Sequence, residues 1–209
     1  MKQTTTVKLG PECPDTPPGT IFSEDDSDPP EPSIQILITN RQSLLAIDTD
    51  RLRIVVQQIL EDAQFPSALL SIAIVDDPAI HQLNRLYLQH DWPTDVLSFP
   101  LEQRLGHLEG EVVVSAETAE KVAAEIPWPG PEELLLYVIH GTLHLVGYQD
   151  KRPEEAAKMR AAERTYLRRM GVEVSGKDDR WQALQPCHGA RSKQITRSHH
   201  APRGGRQES

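Results

Sequence analysis

The segment His140-Gly141-Thr142-Leu143-His144-Leu145-Val146-Gly147-Tyr148-Gln149-Asp150 holds two imidazoles and a carboxylate at intervals suited to gripping one small metal ion. Residues four apart on an α-helix stand one above the other, with Cβ atoms about 6 Å apart. His140 and His144 can therefore both reach an ion roughly 2.0 to 2.1 Å from each ring nitrogen. Gly147 supplies the permissive backbone on which helices commonly end, so the chain can turn and bring Asp150 back toward the same point. Three protein ligands with a fourth position open is the arrangement of catalytic zinc, whereas structural zinc is usually closed by four ligands, often cysteines. The two cysteines, Cys13 and Cys187, have no CxxC partner, so neither a cysteine zinc site nor a disulfide framework is expected. The alternative for the histidines is a pair of core residues satisfied by backbone carbonyls.

The spacing is also similar to the metzincin peptidase pattern, H-E-x-x-H-x-x-G-x-x-H or its Asp-terminated version. A metallopeptidase takes the Glu beside the first His as its general base, and Gly141 has no side chain to accept a proton. Peptide hydrolysis is thus an alternative without its usual base.

The elements that must position these ligands show in the hydrophobic periodicity. Residues 33–39 alternate like a strand, and 50–63 carry apolar residues at helical spacing after the capping candidates Asp48 and Asp50. Strands are expected over 69–75, 96–99 and 111–114, and helices over 78–89, 115–124 and 153–170. Gly130-Pro131-Glu132-Glu133 starts the motif helix, 131–146, with carboxylates at the positive end of its dipole. Leu134, Leu135, Leu136, Val138, Ile139, Leu143, Leu145 and Val146 make that helix apolar almost all round, the pattern of a helix buried inside a domain. Histidines there need partners, because an unsatisfied polar group costs a few kcal/mol, on the order of 2 or more.

Of the 209 residues, 1–33 are rich in Pro, Thr, Ser, Asp and Glu and read as a disordered acidic arm, and 173–209 read as a disordered basic tail. Residues 34–172 remain as one ordinary domain. The arm carries two Lys against seven Asp/Glu and the tail seven Lys/Arg against four Asp/Glu; with a net charge of −9, the middle is left at about −7. An acidic domain argues against indiscriminate nucleic-acid coating but leaves room for a local basic stripe. Such a stripe is on offer: Arg160, Arg164 and Arg168 fall at four-residue steps, and Lys151 and Arg152 directly follow Asp150. The other reading of the stripe is a solvated face complementing the helix end. No apolar run is long enough to span a membrane and the N-terminus lacks a hydrophobic signal core, so the cytoplasm is the expected compartment.

A second segment widens the comparison. Leu83-Asn84-Arg85-Leu86-Tyr87-Leu88-Gln89-His90-Asp91-Trp92-Pro93-Thr94-Asp95-Val96-Leu97-Ser98-Phe99-Pro100, then Gly110-Glu111-Val112-Val113-Val114-Ser115, then His140 to Asp150, closely resemble in order and interval the YbeY family of bacterial endoribonucleases and rRNA maturation factors. The likeness covers roughly residues 34–170. It implies a single compact α+β domain with a small mixed β-sheet around the metal-binding helix, and one zinc ion, Zn(2+), per chain. The implied activity is that of a single-strand-specific, metal-dependent endoribonuclease in 16S rRNA 3′-end maturation and small-subunit ribosome quality control. Its implied partners are ribosomal RNA and the small ribosomal subunit or its proteins, with no membrane and no DNA. The cleft wall is implied near His90, Asp91, Thr94 and Asp95, where Thr94 and Asp95 serve equally well as turn and capping residues.

Three positions depart from the family pattern. Asp150 stands where the family has a third histidine. Zinc accepts carboxylate oxygen, but the added charge raises the pKa of bound water and opens the site to Mn, Fe or Ni. Leu88 replaces an arginine that would clamp phosphate bidentately. Glu111 replaces an aspartate. Loss of that arginine keeps a second reading in view, a non-catalytic ribosome-assembly factor that binds pre-rRNA or a ribosomal protein and uses its ion structurally.

Overall fold

The structure, a computed structural model, describes residues 33–125 and 128–172. Residues 1–32 of the acidic arm and the basic tail 173–209, with Cys13 and Cys187, lie outside the described residues.

Local sequence explains where the elements begin. Strand β1 (Ile34–Asn40) precedes helix α1 (Thr49–Asp62). The α1 helix is capped by Asp48, whose Oδ1 accepts from the N–H groups of Asp50 and Arg51 at 3.1 and 3.0 Å. It buries Leu52, Val55, Val56, Ile59 and Leu60, a single stripe at helical spacing. After strand β2 (Ser67–Val75), helix α2 (Asp77–Leu88) starts on Asp76, which accepts from the Ala79 N–H at 3.0 Å, and it stops at Gln89 in the left-handed region (φ 58°). Strands β3 (Val96–Arg104) and β4 (His107–Ser115) form a hairpin whose turn uses Gly106 at φ +73°.

Both hairpin strands run well beyond the segments expected from periodicity. Pro100 reads as a strand stop, yet β3 is an edge strand, where the missing N–H need not join a ladder, and the register slips between Pro100 and Glu102 as the strand passes it. The sheet order is β1-β2-β4-β3, with β1 and β4 parallel to β2 and β3 antiparallel to β4, so the sheet is mixed as the family resemblance implied.

Successive strand residues point to opposite faces, and both faces are covered. Val112 and Val114 join the main core with α1, α4 and α5, while Val113 joins Val75, Ile80, Leu97 and Phe99 beneath α2. That two-sided burial is why β4 carries an unbroken apolar run. Helices α3 (Ala116–Glu125), α4 (Gly130–Leu145) and α5 (Pro153–Arg169) complete the chain among the described residues. The α4 helix touches α1, α3, α5, β3 and β4, so it is central, as its all-round apolar surface predicts.

Two glycines set how closely α4 lies on the sheet. A Cβ on Gly141 would stand 2.6 Å from Val112 Cγ1 and 2.9 Å from both Ser98 Oγ and Val96 Cγ2. One on Gly110 would meet Leu145 Cδ1 at 2.8 Å. The Ser98 hydroxyl donates to the Gly141 carbonyl at 3.0 Å in this buried contact. Gly141 is therefore a packing requirement as well as a missing base: a glutamate at this position has nowhere to go.

Candidate metal centre

The last turn of α4 ends in a Schellman motif, in which the N–H of Gly147 bonds the His144 carbonyl at 3.1 Å and that of Tyr148 the Leu143 carbonyl at 3.0 Å. Gly147 sits at φ +103°, a backbone conformation that a side chain would strain. The reversal carries Asp150 back over the helix end, where its carboxylate meets the two imidazoles.

The geometry is that of a small triangle. His140 Nε2 and His144 Nε2 are 3.0 Å apart, and Asp150 Oδ2 lies 3.9 Å from the first and 3.8 Å from the second. The point in their plane equidistant from all three is about 2.1 Å from each, the distance at which zinc takes imidazole nitrogen and carboxylate oxygen. Two borderline nitrogen donors and one hard oxygen form a donor set suited to a divalent first-row metal, and the residues present fit such an ion.

Each imidazole is oriented by its other nitrogen. The His144 Nδ1–H donates to the Tyr148 carbonyl at 2.9 Å, and the His140 Nδ1 meets Glu163 Oε1 at 2.6 Å. Because both partners are acceptors, each ring carries its hydrogen on Nδ1 and turns Nε2 toward the shared point. Burial disfavours a charged His140, but the Glu163 carboxylate, backed by Asp95 and Asp150, outweighs it and holds the imidazole pKa above its ordinary value. Burial and the neighbouring His140 push His144 the other way, below its ordinary value. The two Nε2 atoms face one another at 3.0 Å across the point that a cation would take.

The sequence did not single out Glu163. It lies on α5 in the buried row Met159, Glu163, Tyr166, Leu167, and a carboxylate inside an otherwise apolar stripe was the available signal. The arginines Arg160, Arg164 and Arg168 form the adjacent row; Arg160 and Arg164 are half-buried and Arg168 is exposed. Lys151 is exposed, and Arg152 caps α5 through Glu155, its Nη2 donating to Oε1 at 2.5 Å.

On the β3 side, the Thr94 hydroxyl and the Val96 N–H both donate to Asp95 Oδ1, at 3.0 and 2.9 Å, so the Asp95 carboxylate is held by local bonds at the start of β3. Asp95 is still near enough for its charge to act on His140. Asp91 pairs with His81 at 2.9 Å, and His90 stacks on Trp92 with ring centroids 4.7 Å apart. Leu88 packs with Ala73, Ala79 and Leu83 against the cluster beneath α2, where an aliphatic side chain belongs.

Fold and site together define an α+β domain whose central helix and the turn after it bring together two histidines and an aspartate that could hold a metal ion. The family model described as Endoribonuclease YbeY matches residues 37–171, and the chain belongs to that family. The protein named Endoribonuclease YbeY in Rhodopirellula baltica is 49% identical over 112 residues, 53% of this chain and 58% of that one. Its namesake in Syntrophotalea carbinolica is 42% identical over 145 residues, 66% of this chain and 97% of that one. A solved solution structure from Thermotoga maritima has 24% identity and a TM-score of 0.48, covering 72% of this chain and 94% of that one.

Proposed function

We propose that this chain is a single-strand-specific, metal-dependent endoribonuclease acting in 16S rRNA 3′-end maturation and small-subunit ribosome quality control. The observation that carries the reading is the convergence of His140, His144 and Asp150 on one point in a chain whose relatives are named endoribonucleases. One zinc ion per chain is the proposed cofactor, with Mn, Fe or Ni admitted by the carboxylate ligand. Such an ion, when bound, supplies polarisation of a phosphoryl oxygen and acidification of a water in its open position.

The remaining work falls to the chain's own residues. Glu163 and the Tyr148 carbonyl keep the two imidazole rings aimed, and the Gly141 contact keeps α4 from shifting under them. Arg160, Arg164 and Arg168, with Lys151 and Arg152 near Asp150, are the proposed contacts to the RNA backbone. Ribosomal RNA and the small subunit are the proposed partners, and the cytoplasm the proposed compartment. No helix among the described residues is long and apolar enough to cross a membrane.

The test combines elemental analysis of wild type and Asp150→Ala with cleavage of a precursor small-subunit rRNA fragment before and after chelation. One ion per chain, lost with Asp150 together with cleavage, supports the nuclease. Leu88 favours a second reading, an assembly factor with a structural ion, because a leucine cannot clamp phosphate. Retained RNA binding with no cleavage at any metal loading selects that reading.

A further inference from the structure

The two imidazoles of the metal centre are held by different chemistry. His144 leans on a neutral carbonyl that belongs to its own helix terminus, four residues on. His140 leans on a carboxylate from another helix, 23 residues away in sequence, at 2.6 Å. Glu163 is only 3% exposed, and its second oxygen, Oε2, is buried without a hydrogen-bond partner. A buried carboxylate with one oxygen unsatisfied costs stability. Packing gives no reason for it, since its row neighbours Met159, Tyr166 and Leu167 are apolar or aromatic, and an aliphatic residue would fill the same space.

We propose that Glu163 is a positioning residue for the metal centre, holding His140 with its Nδ1–H toward α5 and its Nε2 lone pair toward His144 and Asp150. The inference rests on the metal reading above. An ionised carboxylate only accepts hydrogen bonds, so it admits one tautomer of a neutral His140, the one that can ligate through Nε2. Its negative charge also makes the imidazole a stronger donor to a divalent cation. Together with Asp150 it brings a formal charge of about −2 to the site, balancing a 2+ ion. Because Glu163 comes from α5 and Asp150 lies just before that helix, ion binding and the seating of α5 on α4 are parts of one event.

The experiment uses the full chain and no RNA. Zinc dissociation constants are measured by competition with a chromophoric chelator for wild type, Glu163→Gln and Glu163→Asp. Ring ¹⁵N shifts report the His140 tautomer in the metal-free protein, and metal-free melting curves establish that each variant is folded. Glu163→Gln keeps the size but can present either an acceptor or a donor, so zinc affinity should fall roughly 10- to 100-fold and the Nδ1–H preference of His140 should be lost. Glu163→Asp, which keeps the charge, should recover part of the affinity. A folded Glu163→Gln variant with wild-type zinc affinity and an unchanged tautomer overturns the assignment while leaving the metal site standing. A wild-type chain that takes up no ion overturns both.

Discussion

Gly141→Ala adds one methyl group at the tightest contact between α4 and the sheet. Its Cβ would lie 2.6 Å from Val112 Cγ1 and 2.9 Å from Ser98 Oγ and Val96 Cγ2, so Val112 must recede by about 0.8 Å to reach ordinary contact. Two of the three neighbours are β-branched side chains with little rotamer freedom, and all three sit on β3 and β4, so the strain cannot be released by one side chain swinging away. Overpacking of this kind costs about 3 kcal/mol, the upper end of the usual range. Replacing glycine inside a helix returns about 1 kcal/mol of propensity. The net loss of about 2 kcal/mol corresponds to a melting temperature lowered by roughly 4–8 °C in a domain of this size. Calorimetry on the metal-free protein reads this without interference from ion binding. A variant that melts at or above the wild-type temperature would show that propensity outweighs the clash and that the close approach is not enforced by this glycine.

Three further outcomes are expected. Arg160→Ala with Arg164→Ala should weaken RNA binding and reduce the slope of log affinity against log salt by about 1.4, roughly 0.7 for each lost single-strand phosphate contact; an unchanged slope removes these residues from the interface. Burial raises the Asp77 pKa, but hydrogen bonds from Lys121, Ser115 and Thr118 outweigh it and hold it below 3.8, so its stabilisation is complete above that value and is lost as pH falls through the lower folded value. Asp77→Asn should accordingly be less stable by about 1–3 kcal/mol at pH 7 and converge with the wild type in strong acid; a constant gap from pH 7 to strong acid counts against the ionised network. Asp150→His should raise the ratio of zinc to manganese affinity, because imidazole suits zinc and carboxylate oxygen suits manganese, and competition titrations giving an equal ratio in both proteins would contradict Asp150 as a ligand.

The two histidines and Asp150 were legible in the sequence because they are local: a helical repeat of four and a glycine turn bring them together within eleven residues. The centrality of α4 was legible for a similar reason, since its apolar character is written along one continuous segment. Glu163 was not, because its contact with His140 depends on how α5 docks on α4, and in sequence it is one acidic residue beside a regular row of arginines. The full length of β3 was hidden by Pro100, whose meaning changes once the strand is known to be an edge. Gly141 shows in the sequence only as a position without a side chain, and its packing role needs the third dimension.

The departures from the family pattern act together on the electrostatics of the cleft. Asp150 in place of an imidazole adds one negative charge beside the ion, and Leu88 in place of a guanidinium removes one positive charge from the α2 side; Glu111 in place of an aspartate changes neither. The added carboxylate strengthens the hold on a cation, and the lost guanidinium removes a phosphate donor from the α2 side. Leu88 is half-buried against the cluster beneath α2, and its aliphatic side chain offers phosphate no donor. Under the proposed nuclease reading phosphate contacts fall to other cations, and Arg160, Arg164 and Arg168 are the candidates, in the α5 row beside the face that carries Glu163 to His140. On the proposed reading α5 serves both halves of the site: its buried face holds His140 through Glu163, and its neighbouring face carries the candidate contacts to RNA.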